Sequence, residues 1–105
     1  MTIEFDKDDW KDTKRKAKKF SIKYLVLKDR NLVIAYKPAI ENDPNCRMLE
    51  VSVAWCAPED KFKKKRGKYI STSKLLWIGE FIQLPLNHLD DTAIRGLLNN
   101  MFIDF

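Results

Sequence analysis

Histidine, cysteine and glycine are scarce in this 105-residue chain, and each scarcity removes a class of function. The three glycines, Gly67, Gly79 and Gly96, cannot spell a Walker loop or a Rossmann fingerprint, both of which need clustered glycines against phosphate. His88 is the lone histidine. It lacks a nearby pattern marking a nucleophile–base pair, and it cannot complete a zinc spacing with Cys46 and Cys56, so no catalytic group, metal site or cofactor is expected. Cys56 falls at a strand end ahead of a lysine-rich segment, a setting that favours thiolate. The preferred reading is still a small residue filling a sheet–helix junction. Nothing approaches 18 consecutive apolar residues, so no membrane-spanning helix is expected. Met1–Asp12 carries four aspartates and a glutamate rather than an apolar run, so no signal peptide is expected either. Reduced thiols and a cytoplasmic location follow as expectations.

Core-building material is plentiful. Hydrophobic residues make up 45% of the chain and aromatic residues 11%, enough for one folded domain spanning residues 1–105. A chain of this length buries roughly two thirds of its unfolded surface. Charge is distributed unevenly. The net charge of +5 conceals eight basic residues between Lys7 and Lys23 and six between Lys61 and Lys68. From Gly79 onward Glu80, Asp90, Asp91 and Asp104 face only Arg95. Such asymmetry concerns partners more than fold.

The periodicity predicts an α-β-β-β-α-β-α order. Over Asp9–Phe20, Trp10, Thr13, Ala17 and Phe20 recur at helical steps on one face. Ser21–Lys28 and Leu32–Lys37 read as a hairpin around the turn residues Asp29, Arg30 and Asn31. Pro38–Asn45 is a loop. In Met48–Cys56, Leu49, Val51, Val53 and Trp55 alternate with Glu50, Ser52, Ala54 and Cys56, which predicts Trp55 inside. The small residues late in that strand suggest that its second face is covered there too. Pro58, Glu59 and Asp60 open a second helix with Phe62, Tyr69, Ile70, Ser73, Leu76 and Trp77 as its buried stripe, weakened at Gly67. Glu80–Leu84 is a short strand ended by Pro85. Asp90 or Asp91 caps a last helix in which Ile94, Leu97, Leu98 and Met101 face inward. The expected fold class is α+β, a small and mostly antiparallel sheet packed with two or three helices.

Two basic runs carry the functional expectation. Lys61, Lys63, Lys64, Lys65, Arg66, Lys68 and Lys74 form one candidate binding patch, and Lys14, Arg15, Lys18 and Lys19 form a second. Clustered cations suit phosphates, whose neutralisation releases counterions. Phe62 and Tyr69 add rings on which bases stack. A solvated helix face is the plainer account of such a run.

The segment Val51–Leu75 resembles a pattern found in small uncharacterised proteins of bacteriophages and prophages. An apolar strand there runs into Cys-x-Pro-x-Asp-x-Phe, then basic residues, a glycine, an isoleucine, a small polar residue and a basic-Leu pair. Here these are Cys56, Pro58, Asp60, Phe62, Lys64, Gly67, Ile70, Ser71, Lys74 and Leu75, with Lys74 where the pattern often has Arg. The resemblance implies a phage accessory protein in the host cytoplasm, a compact binder acting on host machinery or defence. Two readings stay open. One is a non-enzymatic module whose basic surface engages nucleic acid or an acidic host protein. The other is a homo-oligomer that sequesters a small phosphorylated or nucleotide ligand.

Overall fold

The computed structural model describes residues 7–39, 48–56, 63–85 and 90–102. Helix α1 (Lys7–Lys19) leads into strands β1 (Lys23–Leu27), β2 (Leu32–Pro38) and β3 (Met48–Trp55). Helix α2 (Lys64–Ser73) continues into a π-helical turn (Lys74–Ile78), followed by β4 (Ile82–Pro85) and α3 (Asp91–Met101). The strands form one antiparallel sheet in the order β1-β2-β3-β4. The expected α+β class and element order are what the chain adopts.

The hairpin turn follows from its residues. A 3-10 turn at Lys28–Arg30 ends at Asn31, whose φ of 54° lies in the left-handed region that asparagine tolerates. Strand β2 is buried from Leu32 to Lys37, so both of its faces are covered. On one face Leu25, Leu32, Ile34, Tyr36, Leu49 and Val51 pack beneath Ile94, Leu98 and Phe102 of the α3 segment. The other face carries Val33, Ala35, Ser52 and Ala54 beneath the remaining helices, where Ala17, Ile22 and Leu75 join Ala35. The small residues of β3 are the local mark of that covered second face.

Close approach explains the fit of α2. A Cβ on Gly67 would lie 2.9 Å from Val33 Cβ and would collide with Val33 Cγ2, so the helix backbone rests directly on the sheet. Ser52 Oγ donates to the Ser71 carbonyl at 2.5 Å, and Tyr24 and Thr72 share a 2.5 Å hydroxyl–hydroxyl hydrogen bond.

Helix α1 ends in a Schellman arrangement, with Ile22 N–H donating to the Ala17 carbonyl at 2.9 Å and Ser21 N–H to that of Lys18 at 3.2 Å. Ser21 takes the left-handed position, φ 57°, without being glycine. At the other end of the chain the Asp90 carboxylate caps α3 by accepting from Ala93 N–H at 2.8 Å. Asp91, Arg95 and Asn99, one helical turn apart, tie α3 to the sheet. Asp91 accepts from Tyr36 at 2.8 Å, Arg95 donates to the Tyr24 carbonyl at 2.9 Å, and Arg30 donates to Asn99 Oδ1 at 2.9 Å. The Tyr36 hydrogen bond, followed by Lys23, holds the Asp91 carboxyl below the usual carboxylate range.

Four expectations about burial are corrected. Trp55 lies opposite Leu32 on the α3 side, but β4 pairs no further than Val51, and Trp55 at the unflanked end of β3 is 61% exposed. Leu97 and Met101 are exposed, because the buried line of α3 runs through Ile94, Leu98 and Phe102 and leaves them to one side. Phe20 is exposed because α1 has already ended at Lys19. In α2, Ser73 is buried as expected, but it is joined by Ser71 and Thr72 rather than by Trp77, which is 50% exposed. The π-helical turn breaks the 3.6-residue phase ahead of Trp77. The expected helix start at Pro58, Glu59 and Asp60, together with Phe62, lies outside the described residues.

Candidate functional site

Helices α1 and α2 lie side by side, joined by the edge of Trp10 against Tyr69 at 6.4 Å between ring centroids. Beside that contact runs a groove of about 300 Å³, lined by Trp10, Lys14, Arg15, Ala17, Lys18, Ile22, Tyr24 and Lys68. Lys14 and Lys18 share a side of α1 by their four-residue spacing. Lys68 follows Gly67, so the close seating of α2 on Val33 sets its ammonium 5.1 Å from the centroid of the Tyr24 ring. Lys14 stands similarly at 5.9 Å over Trp10.

The electrostatics of the groove are one-signed. Among the described residues its lining holds four cations and no carboxylate. Arg15 has an outward partner in Asp12 at 3.9 Å, a solvent-exposed pair worth little. Partial burial, then the charges of Lys64 and Lys14, hold the Lys68 ammonium below the usual lysine range. An anion placed in this groove would relieve that crowding.

The two expected patches therefore meet in part. Lys14, Arg15 and Lys18 of the second converge with Lys68 of the first, whereas Lys63, Lys64, Lys65 and Arg66 are exposed around the start of α2. Lys74 is not part of this groove. Its ammonium donates at 3.0 Å to the Val53 carbonyl, beyond the last β3–β4 pair. Lys61, Cys46 and His88 lie outside the described residues. Cys56 is half-buried at the end of β3, and its backbone N–H donates to the Asn31 carbonyl at 2.9 Å.

A second groove, about 490 Å³, opens on the opposite flank of α1. Its walls are Phe20, Leu75, Leu76, Trp77 and Phe81, and Lys16 and Lys19 stand at its rim. Lys16 lies 4.9 Å over the Trp77 ring and Lys19 5.9 Å over Phe20. Beneath them Lys37, only 3% exposed, donates to Glu50 at 2.5 Å. That paired floor is neutral overall. Sequence reasoning places Lys19 in a basic patch but misses Lys16, Trp77 and Phe20 as site residues, since helical phasing assigns both rings to the core.

Among the described residues no group of histidine, cysteine and acidic side chains is arranged to hold a metal ion, and no helix is long and apolar enough to cross a membrane. No protein-family model, curated protein or solved structure gives a significant match to this chain.

Proposed function

We propose that this protein is a non-enzymatic binding module that grips the phosphates of a nucleic acid through the groove between α1 and α2. The observation that carries this is the convergence of Lys14, Arg15, Lys18 and Lys68 on one lining that, among the described residues, has no carboxylate. Further cations extend the surface beyond what a single phosphate needs, with Lys63–Arg66 on one side and Lys16 and Lys19 on the other. That extension favours a polymer. The volume of the first groove, about 300 Å³, supports the second reading, a small phosphorylated ligand sequestered by the protein and its copies. In either case the protein acts as a phage-type accessory factor that occupies or redirects components of the host.

The test is salt-dependent titration of Lys14→Gln/Lys18→Gln/Lys68→Gln against the unaltered protein. Lys14 and Lys18 are exposed, so each should shift folding by less than about 0.5 kcal/mol, and the half-buried Lys68 by about 1 kcal/mol at most. Affinity for a labelled oligonucleotide should fall, and the slope of log affinity against log salt should flatten by about 0.7–0.9 for each phosphate that is no longer neutralised. Affinity independent of oligonucleotide length and abolished by millimolar nucleotide would favour the small ligand. A flat titration at low salt with every oligonucleotide would refute the nucleic-acid reading and leave an acidic protein surface as the partner to test.

A further inference from the structure

We infer that the nucleic acid is taken as a single strand, with one unstacked base lodged in the groove beside Trp77 and Phe20 while its phosphates cross α1. This rests on the proposed nucleic-acid reading and names the form of the ligand. The two grooves differ in kind. The α1–α2 groove is lined by cations and suits phosphate, whereas the Trp77 groove has Glu50 in its lining, paired with Lys37. Lys37 neutralises the Glu50 carboxylate, so the floor itself offers phosphate no net charge, and three aromatic rings and two leucines form the walls. A planar, neutral ring with polar edges fits such a cavity, and a nucleobase is that ring.

Three further observations point the same way. Trp77 and Phe20 are exposed although large and apolar, which costs solvation free energy unless something stacks on them. The cations above them, Lys16 and Lys19, are held by exposed cation–π contacts, which are weaker than the stacking of a base on an aromatic ring. A base therefore displaces the lysines from the rings and leaves them free to meet the flanking phosphates. Finally, Lys14 and Lys18 line one groove while Lys16 and Lys19 line the other, so a backbone crossing α1 meets cations on both flanks. A duplex cannot use this arrangement, because its bases are stacked and paired.

The experiment compares labelled oligothymidylate of about 12 nucleotides with a duplex of equal length, titrated by anisotropy at fixed salt. The single strand should bind at least about tenfold more tightly. Trp77→Ala should weaken single-strand binding by about tenfold with the salt slope unchanged, because stacking releases no counterions. Trp77→Phe should retain most of the affinity, which separates stacking from any disturbance of folding. Trp55→Ala removes a comparably exposed ring from the α3 side and should bind as the unaltered protein does. Equal affinity for single strand and duplex, with Trp77→Ala unaffected, would overturn the inference and leave the phosphate groove standing. Absence of binding to both would overturn the two together.

Discussion

The two faces of the sheet are built from different materials. The face under α3 is aliphatic, with Leu25, Leu32, Ile34, Leu49 and Val51 meeting Ile94, Leu98 and Phe102. The face under α1 and α2 buries Thr13, Lys37, Ser52, Ser71, Thr72 and Ser73 among Ala17, Ile22, Val33, Ala35 and Leu75, with Glu50 half-buried beside Lys37. Area burial stabilises the first, whereas the second depends on hydrogen bonds and on backbone brought close by Gly67. The division matches the proposed use of the molecule. Long aliphatic side chains hold helices apart at a full layer of packing, while glycine and serine let α2 settle low enough to set Lys68 beside Tyr24. Both grooves lie on this polar side.

Truncation on the aliphatic face gives the largest effect. Leu98 is fully buried, so Leu98→Ala should lower unfolding free energy by about 2–5 kcal/mol, read from urea denaturation. A decrease below about 1 kcal/mol would show that the α3 face is not the main source of stability.

The polar face should respond instead to added volume. Gly67→Ala gains about 1 kcal/mol of helix propensity, but its Cβ meets Val33, a stiff β-branched residue, and overpacking costs about 1–3 kcal/mol. The clash wins. Net destabilisation of about 1 kcal/mol should be accompanied by weaker oligonucleotide binding, because Lys68 moves with the helix. Val33→Ala in the same chain should recover part of both effects, a coupling that a double-mutant cycle measures. A Gly67→Ala protein more stable than the original would refute the close seating of α2.

The smallest expected change is a gain. Ser21 holds a left-handed conformation at the end of α1, where glycine carries no Cβ penalty. Ser21→Gly should stabilise by up to about 1 kcal/mol, the relief of that penalty being offset in part by the added freedom of the unfolded chain. Its effect on binding should be nil, which separates the stability of α1 from the chemistry it displays. A drop in stability would mean that the Ser21 side chain contributes more than its backbone angle costs.

Much of the fold is legible in the chain, because hydrophobic periodicity, turn residues and caps are local signals. Asn31 in its turn, the Asp90 cap and the alternation of Leu49 and Val51 all act within a few residues of themselves. The buried stripe of α2 is not legible, since a π-helical turn and the demand for close packing at Gly67 rotate the helix away from its most apolar side. Trp55 and Trp77 escape sequence reasoning for a related reason. Patterning tells which way a side chain points, whereas its burial depends on whether another element extends over it. As for the candidate site, lysine and arginine are recognisable at any position, so both basic runs stand out by composition.

Residue chemistry over short spans is enough for the α+β class, the element order, the charge asymmetry and the candidate cations. Packing in three dimensions is what brings Lys14, Arg15 and Lys18 to Lys68 across two helices, turns Lys74 to the Val53 carbonyl, and leaves Trp77 and Phe20 outside the core. Lys14 and Lys68 are far apart in the chain and acquire a shared field only when α1 and α2 dock on the same face of the sheet. Convergence of that kind depends on distances through space, which no local pattern encodes.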